Sequence, residues 1–349
     1  MSAAKTIALD AMGGDRAPEM VVAGANVARQ RHPDVRFLLV GDERRLSKLL
    51  ERFPRLASAS ELLPSDSIVS ANDRPAQALR QGRRSSMRLA IDMVRDGRAG
   101  GIVSAGNTGA LMAMAKTVLK TLPGIKRPAL ASLLPTVRGE SAFLDLGANV
   151  ECDAENLVQF AVMGALFAHH VMGIHNPTVG LLNVGSEDVK GHDELRLANE
   201  ALRAGDFPMD YRGFVEGNDL AAGRVDVIVT DGFTGNIALK AIEGTAKLYS
   251  EFLRATFRRS IVSKLGYLLA RPALNALRNR VDPRRYNGGM FLGLSSVVVK
   301  SHGGTDAYGF ANAIGFAVDM IAHGFNDRVR AEIERWKTSR GDLPRAAAL

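Results

Sequence analysis

The sequence predicts a three-layer α/β/α fold built around a mostly parallel sheet, and three observations support this class. Short apolar runs recur along the chain, and each one stops at a polar turn that contains glycine. The segments between these runs carry helical patterns, which is how parallel strands are usually connected. The chain has 349 residues, 46% of them hydrophobic, and can therefore bury a large core. The five turns lie at residues 10–15, 104–109, 145–149, 183–187 and 230–236.

The first half of the chain alternates strand-like and helical segments. Asn107 or Thr108 is expected to begin the helix after the second turn, which places free N–H groups beside that turn. Residues 55–75 are expected to be irregular. The predicted elements are a strand from Ile7, a helix from Pro18 to residue 31, a strand over 37–41, and helices over 43–53, 75–95 and 107–122.

The second half contains the longest apolar segment, residues 157–174, for which Asp153 is a suitable helix cap. Gln159, His169 and His170 interrupt this segment, so we interpret it as a buried helix and not as a membrane span. The tail after Lys337 is expected to be frayed. The other predicted elements are a strand over 178–184, a helix near His192, a strand over 225–230, a helix from Asn236, a strand over 295–300 and a helix over 307–324.

Residues 245–285 contain no strand pattern and therefore interrupt this alternation. We interpret them as a helical hairpin inserted into one catalytic unit, residues 1–349. Pro272 should break the second helix of this hairpin. The hairpin suits contact with an anionic membrane surface, where apolar insertion and basic attraction add. A dimer interface or a buried hairpin is the alternative, and both contacts can hold at once. The basic residues are Arg254, Arg258, Arg259 and Lys264, and the apolar tip comprises Leu265, Tyr267, Leu268, Leu269 and Leu274.

Composition narrows the possible environments and partners. Cys152 is the single cysteine, so no intrachain disulfide can form, which fits a reducing, cytoplasmic compartment. The sequence starts without a long apolar leader. The net charge of +8 suggests an anionic partner or surface. Aromatic residues make up 6% and do not interleave with the basic clusters, which argues against nucleic-acid binding.

Several familiar catalytic patterns are absent from the sequence. No two glycines are separated by one residue and no glycine precedes lysine, which excludes the dinucleotide fingerprint and the Walker A loop. Histidines 169, 170 and 175 are too irregularly spaced for a metal site on one helical face. Cys152 lies between two carboxylates, which disfavours a reactive thiolate. We therefore expect no metal, no cofactor and no covalent nucleophile.

The turns themselves carry the candidate site. Ser104, Asn107, Thr108 and Gly109 combine short donors with a helix N-terminus, which suits a phosphate or a carbonyl oxygen, although ordinary turn chemistry explains them equally well. If all five turns converge, they form one anion-binding pocket. Lys190 could be merely solvated and His302 merely structural. The remaining candidates are Asp10, Gly13, Gly14, Asn183, Gly185, Glu187, Lys190, Asp231, Gly232, Thr234, Asn236, Lys300, His302 and Gly303.

The combined motifs resemble the phosphate acyltransferases of bacterial phospholipid synthesis, and the similarity runs from residue 7 to about 325. The matching segments are 8–15, 104–110, 145–149, 182–187, 231–236 and 301–304. The resemblance implies an isopropylmalate-dehydrogenase-like fold, also used by phosphotransacetylases, and a homodimer at the inner face of the cell membrane. It implies transfer of a long-chain acyl group from acyl carrier protein to inorganic phosphate. The product would pass to a membrane-bound glycerol-3-phosphate acyltransferase.

This reaction fits the residues. Phosphate is largely ionised near neutral pH and needs positioning more than a base. We expect Ser104, Asn107 and Thr108 to hold phosphate or the oxyanion, and Lys190 and Lys300 to offset negative charge. Asn183, Asn236 and His302 would orient the thioester or protonate the leaving sulfur. The acidic carrier protein would dock on the cluster formed by Arg80, Arg83, Arg84 and Arg88.

Three alternative functions also remain compatible with the sequence. A phosphotransacetylase that uses CoA and short acyl chains would share the fold and the phosphate site. A decarboxylating dehydrogenase that uses a metal and NAD could bind the metal through Asp10, Asp145 and Asp231. A scaffold that recruits acyl carrier protein without catalysis is the third.

Overall fold

The computed structural model describes residues 6–340, and within them the predicted α/β/α class is confirmed. Eleven strands of this part of the chain form one sheet. They are β1 (Thr6–Asp10), β2 (Arg36–Gly41), β3 (Ser60–Pro64), β4 (Gly101–Ser104), β5 (Ala129–Thr136), β6 (Gly139–Leu144), β7 (Thr178–Leu182), β8 (Asp210–Val215), β9 (Val227–Val229), β10 (Gly289–Leu292) and β11 (Val297–Lys300).

Helices connect these strands and cover both faces of the sheet. One face packs against α1, α7, α8, α12 and α13, and the other packs against α5, α6, α9 and the first half of α10. The helices are α1 (Glu19–Arg31), α2 (Glu43–Leu50), α3 (Pro54–Ala57), α4 (Pro75–Gln81), α5 (Ser86–Arg95), α6 (Thr108–Leu119), α7 (Ala154–His170), α8 (Asp193–Ala204), α9 (Gly217–Ala222), α10 (Gly232–Arg258), α11 (Ile261–Arg280), α12 (Ala307–Ala322) and α13 (Phe325–Arg340).

The sheet changes direction at its centre. The strand order is β3-β2-β1-β4-β11-β10-β5-β6-β9-β7-β8. β10 is antiparallel to both β11 and β5, and β6 is antiparallel to β5, whereas the other pairs are parallel. As a result, β6, β7, β8 and β9 run opposite to β1, β2, β3, β4 and β11.

This reversal creates two distinct sheet edges. We call the edge that holds the carboxyl ends of β1, β4 and β11 the Lys300 edge. The opposite edge, which holds the carboxyl ends of β6, β7 and β9, is the Asp145 edge. The single pocket expected from all five turns is therefore wrong, because a strand that runs the other way delivers its turn to the other edge.

Several predicted helix starts are confirmed by their caps, whereas the helix predicted from Asn236 begins earlier, at Gly232. Asn107 caps α6 through a hydrogen bond from the Ala110 N–H to its side-chain oxygen, and Asp153 caps α7 in the same way from Asn156. α7 is buried along nearly its whole length, as predicted. Among the described residues, no helix is both long and apolar enough to cross a bilayer.

Some local predictions were wrong. Residues 55–75 contain most of α3 and the whole of β3, which joins the sheet by pairing with β2. The helix predicted over 75–95 is two helices, because the chain turns at Gly82 and Ser85 begins α5 as a new cap. Strand β5 was missed, although a tight turn over residues 137–138, followed by Gly139 with a φ of +142°, joins it to β6 as a hairpin. The frayed tail predicted after Lys337 is helical up to Arg340, and the rest of it lies outside the described residues.

The predicted hairpin is present as α10 and α11, and α11 has no buried residue. Pro272 lies inside α11 without ending it, so the predicted break is wrong. Proline removes one hydrogen-bond donor, which leaves the carbonyl four residues earlier unpaired, and on an exposed helix water can satisfy that carbonyl. Packing against α10, including the ring contact between Phe257 and Tyr267, keeps the two halves in line.

Candidate active site

Asp10 is the centre of the Lys300 edge. This carboxylate is buried and accepts hydrogen bonds from Ser86 Oγ at 2.6 Å and Ser104 Oγ at 2.7 Å. Burial raises its pKa, and the hydrogen bonds from the two hydroxyls act in the opposite direction. Asp10 thereby joins the end of β1, the end of β4 and the first turn of α5 into one rigid unit.

The turns after β1 and β4 pack directly on each other. A Cβ added at Gly13 would lie 2.4 Å from Asp10 Oδ2 and 2.8 Å from the Gly106 nitrogen, so only glycine fits there. Gly14 has a φ of +109°, a conformation that glycine adopts without strain. The predicted glycines at 13 and 14 are therefore required by close backbone approach at the candidate site.

Lys300 supplies the cation of this edge. It is the last residue of β11 and pairs with Ser104 of β4 in the parallel ladder. Burial lowers its pKa to about 8, while the carboxylates of Asp10 and Asp15 act in the opposite direction. Its Nζ donates to the Ser301 carbonyl. A lysine in this state carries a positive charge at neutral pH and loses it just above.

His302 follows on an exposed turn at the same edge. Its Nδ1 accepts a hydrogen bond from the Gly304 N–H at 3.1 Å. This bond requires a lone pair on Nδ1, so the neutral ring carries its proton on Nε2. His302 is therefore arranged as a hydrogen-bond donor beside Lys300.

The start of α6 completes the Lys300 edge. One of its residues has a side chain that is already occupied by the protein, and two others have backbone N–H groups that are available to a ligand. The Asn107 side chain is fully used: its oxygen caps α6, and its Nδ2 donates to the carbonyls of Ala71 and Asp73, each at 2.9 Å. Its expected contact with substrate is therefore not supported. The N–H groups of Thr108 and Gly109 lie in the first helical turn, where the helix offers them no acceptor, and they can bind an anion.

The arginine cluster lies next to this edge. Ser86, which binds Asp10, begins α5, and the arginines lie immediately around it in the chain. Arg84 pairs with Asp66, and Arg88 pairs with Asp92 at 3.1 Å within its own helix. Arg80 lies in α4 and Arg83 in the turn before α5, so the cluster borders the site and keeps a basic face.

The remaining predicted residues lie at the Asp145 edge, where the turns after β6 and β9 meet. Asp145 is buried and accepts from the N–H groups of Leu130, Ala148 and Asn149 at 2.7–3.0 Å and from Asn149 Nδ2 at 2.8 Å. Burial raises its pKa. A Cβ added at Gly232 would lie 2.5 Å from the Asn149 carbonyl oxygen. These contacts hold the turns after β6 and β9 together, and we call them the structural joint.

Asp231, Thr234 and Asn236 belong to the same joint. Asp231 caps α10 by accepting from the Thr234 N–H and hydroxyl, both at 2.8 Å. Asn236 packs against Gly147. Their expected place in the same pocket as Ser104 is wrong because β9 runs opposite to β4.

The turn after β7 closes on itself at the Asp145 edge. Asn183 accepts from the Val184 N–H at 2.8 Å and donates to the Lys190 carbonyl at 3.1 Å. Gly185 packs against the side chains of Glu187 and Lys190. The expected roles of Asn183, Gly185, Glu187 and Lys190 at the Ser104 pocket are therefore wrong for the same topological reason.

Cys152 lies beside the Asp145 edge. Burial, followed by the nearby charges of Asp145 and Asp231, raises the pKa of its thiol to about 12. This direction agrees with the expectation of an unreactive thiol, with burial as the main cause.

The hairpin is rooted at the Lys300 edge. Arg280, at the end of α11, donates to the carbonyl of Val137 at 3.0 Å, beyond the carboxyl end of β5. Arg284 pairs with Asp306, the cap of α12, at 2.8 Å. The exposed apolar residues include Leu248, Tyr249 and Phe252 of α10. On α11 they are Ile261, Val262 and the predicted Leu265, Tyr267, Leu268 and Leu269, whereas Leu274 is half-buried.

A separate cavity of about 610 Å³ lies on the half of the sheet formed by β5–β9. Its lining is polar, with Arg138, Arg212 and Arg224 balanced by Glu140, Asp219 and Asp226. It includes none of the residues of the Lys300 edge described above.

Ser86 and Asn287 are site residues that sequence reasoning missed. Ser86 contacts Asp10 across 76 positions of sequence, and Asn287 contacts Ser301 across 14. Ser86 does not lie in a glycine-rich turn, whereas Asn287 directly precedes Gly288 and Gly289, which was a usable signal. For Ser86 the available local signal was Ser85, a residue type that favours the N-cap position and therefore marks the start of α5 at Ser86.

The fold is an α/β/α fold of the kind found in phosphotransacetylases. The structure is similar to a phosphotransacetylase from Streptococcus pyogenes, with a TM-score of 0.61 and 17% identity over 91% of this chain and 94% of the other. The EutD phosphotransacetylase from Staphylococcus aureus gives a TM-score of 0.57 and 19% identity over 90% and 94%. At these identities the likeness establishes the fold alone.

The chain belongs to the family described as fatty acid synthesis protein, which it matches over residues 5–328. It is 65% identical to the phosphate acyltransferase of Rhodospirillum centenum over 96% of this chain and 94% of the relative. It is 58% identical to that of Paramagnetospirillum magneticum over 97% and 96%. The protein is therefore an acyltransferase that uses phosphate as acyl acceptor, as the sequence motifs predicted.

Proposed function

We propose that this enzyme transfers a long-chain acyl group from acyl carrier protein to inorganic phosphate, and that the Lys300 edge is its active site. The observation that carries the proposal is the placement of a partly buried lysine, a donor histidine and a helix N-terminus around the turns fixed by Asp10. This set binds an anion and stabilises developing negative charge.

The reaction needs little acid–base chemistry. A phosphate oxygen attacks the thioester carbonyl carbon, the C–O bond forms, and the C–S bond breaks as the thiolate leaves. Lys300 and the N–H groups of Thr108 and Gly109 stabilise phosphate and the oxyanion. His302 donates a hydrogen bond from Nε2 to the leaving sulfur, which departs as a thiolate.

The basic cluster at α4 and α5 gives the carrier protein a docking surface. Acyl carrier proteins are acidic, and opposite charge accelerates encounter. Because Ser86 binds Asp10, a carrier docked on Arg80, Arg83 and Arg84 is close to the site. The thioester on its flexible arm can then reach Lys300.

The hairpin gives the protein a means to stay at the membrane that receives its product. Exposed apolar residues lie on both of its helices and continue through the start of α11, where Arg258 and Arg259 flank them. Apolar insertion and attraction to anionic lipid add. We propose a cytoplasmic homodimer, peripheral to the membrane, that hands acyl phosphate to a membrane glycerol-3-phosphate acyltransferase.

The decisive experiment incubates the purified enzyme with phosphate and palmitoyl-loaded acyl carrier protein and measures acyl phosphate directly. Palmitoyl-CoA and acetyl-CoA are the matched donors. We expect the carrier-bound donor to give the highest kcat/KM. A clear preference for acetyl-CoA would instead identify a short-chain phosphotransacetylase and contradict the proposed donor.

Charge reversal tests the docking surface. The variant R80E/R83E should raise KM for the acyl carrier protein about tenfold with kcat nearly unchanged, because it removes steering and not chemistry. The control R330E/R335E changes the same amount of charge on α13, away from the cluster. Equal KM values for the two variants would refute docking at the arginines.

Vesicle binding tests the hairpin. L268D/L269D places two charges on its exposed apolar face and should abolish sedimentation with vesicles that contain phosphatidylglycerol, while acyl phosphate formation in solution persists. V184D/V189D introduces two charges at exposed valines of the Asp145 edge as a control. Undiminished sedimentation of L268D/L269D would show that lipid contacts another surface.

A further inference from the structure

The turn that carries His302 is held by main-chain contacts on two sides. The Ser301 N–H donates to the Ser104 carbonyl at 2.8 Å, which extends the β4–β11 ladder by one residue. The Asp15 N–H donates to the Gly303 carbonyl at 3.0 Å. These bonds join the turn to β4 and to the turn after β1, and within the turn the Thr305 N–H donates to the His302 carbonyl at 3.2 Å, but none of them engages the His302 N–H.

Asn287 supplies the missing support. Its Nδ2 donates to Ser301 Oγ at 2.9 Å, and its Oδ1 accepts from the His302 N–H at 2.8 Å. Asn287 is buried and lies just before β10, whose Gly289 pairs with Lys300 in the antiparallel ladder. Both ends of one side-chain amide are therefore used to hold two consecutive residues of the turn.

We propose that Asn287 is a positioning residue for acyl transfer, which fixes the orientation of the turn that presents His302 and Gly303 beside Lys300. The inference rests on the proposed location of the reaction at the Lys300 edge. Asn287 does not touch the substrate in this arrangement. It acts through His302, whose ring must meet the sulfur within about 0.5 Å of the productive position.

The chemistry of the amide predicts a ranking of variants. Alanine loses both hydrogen bonds. Aspartate keeps both, because the Ser301 hydroxyl can rotate to donate to one carboxylate oxygen while the His302 N–H donates to the other. Position 287 should therefore tolerate aspartate far better than alanine. Leucine, which is of similar size but forms neither hydrogen bond, should behave like alanine and so separates hydrogen bonding from packing.

The experiment measures kcat, KM for phosphate and the thermal unfolding midpoint for N287A, N287L and N287D. The control N312A, in α12, likewise removes two hydrogen bonds of a side-chain amide: Asn312 Nδ2 donates to the Arg284 carbonyl at 2.7 Å, and its Oδ1 accepts from Arg31 at 2.6 Å, both away from the turn. We expect N287A to lower kcat at least tenfold with KM for phosphate within threefold. N287D should recover most of kcat, and N312A should match the wild type.

The outcomes separate this inference from the proposed function. Wild-type enzyme that forms no acyl phosphate would overturn the proposed function itself. Active wild type with N287A equal to N312A in kcat would overturn only the role of Asn287. If N287A does not fold, S301A removes one of the two bonds with a smaller change, and an unaltered kcat in S301A would overturn the inference.

Discussion

The two edges of the sheet use the same local sequence pattern for different purposes. At each edge a buried aspartate ends a strand, a glycine-bearing turn follows, and a second turn packs against the first through a glycine. Asp10 is held partly by hydroxyls from two other elements, and Lys300 lies beside it. Asp145 is held by three backbone N–H groups and one side-chain amide. At Asp10 two donors are hydroxyls that can rotate, and a cation lies beside them, as an active site requires. At Asp145 most donors are fixed backbone N–H groups, which are sufficient to hold two turns together.

The largest expected effect is on stability and distinguishes the two aspartates. In D145N the new amide group must face backbone N–H donors, which cannot turn round to accept, so we expect a loss of about 3 kcal/mol in the free energy of unfolding. In D10N the amide can face Ser86 or Ser104, whose hydroxyls can accept, so we expect about 1 kcal/mol. Urea unfolding of both variants measures the difference, and equal losses would show that the edges do not differ in this way.

Next in size is the effect of removing the cation at the Lys300 edge. K300M should lower kcat about 100-fold, the usual consequence of losing one electrostatic group from an active site. Its unfolding free energy should not fall, because a partly buried charge is removed. K116M, in the last turn of α6, is the control and should behave as the wild type. A K300M enzyme with full kcat would move the active site elsewhere.

How much of this was predictable depends on whether the cause was local. The turn residues, the caps Asn107 and Asp153, and the glycines at 13 and 14 follow from short-range chemistry, and the sequence predicts them. The direction of β6 follows from its hairpin with β5, whose turn before Gly139 is a local signal. The direction of β5 itself depends on pairing with β10 across about 160 residues of sequence, so local chemistry alone does not show that Asp145 and Asp10 face opposite edges. The contact of Ser86 with Asp10 is long-range in the same way.

The pH dependence of activity also distinguishes the two edges, because Lys300 belongs to the Lys300 edge and has a lowered pKa. Its pKa in the folded protein is about 8, below the ordinary 10.5. As the pH rises, the folded protein therefore releases this proton at a lower pH than the unfolded chain does. Activity should therefore fall about tenfold per pH unit above 8, while the contribution of Lys300 to stability improves between pH 8 and 10.5. K300R keeps its charge throughout this range and should flatten the decline. A decline of unchanged steepness in K300R would assign it to another group.

The smallest expected effect tests whether the Asp145 edge is only a joint. D231A removes the cap of α10 and should cost about 1 kcal/mol in unfolding free energy. D153A removes the cap of α7 and is the matched control, with a similar cost. Because both aspartates serve helix ends away from Lys300, kcat measured well below the unfolding midpoint should stay within twofold of the wild type in each. A fall in kcat for D231A alone would mean that this edge reaches the reacting groups, and the division between a catalytic edge and a structural edge would have to be abandoned.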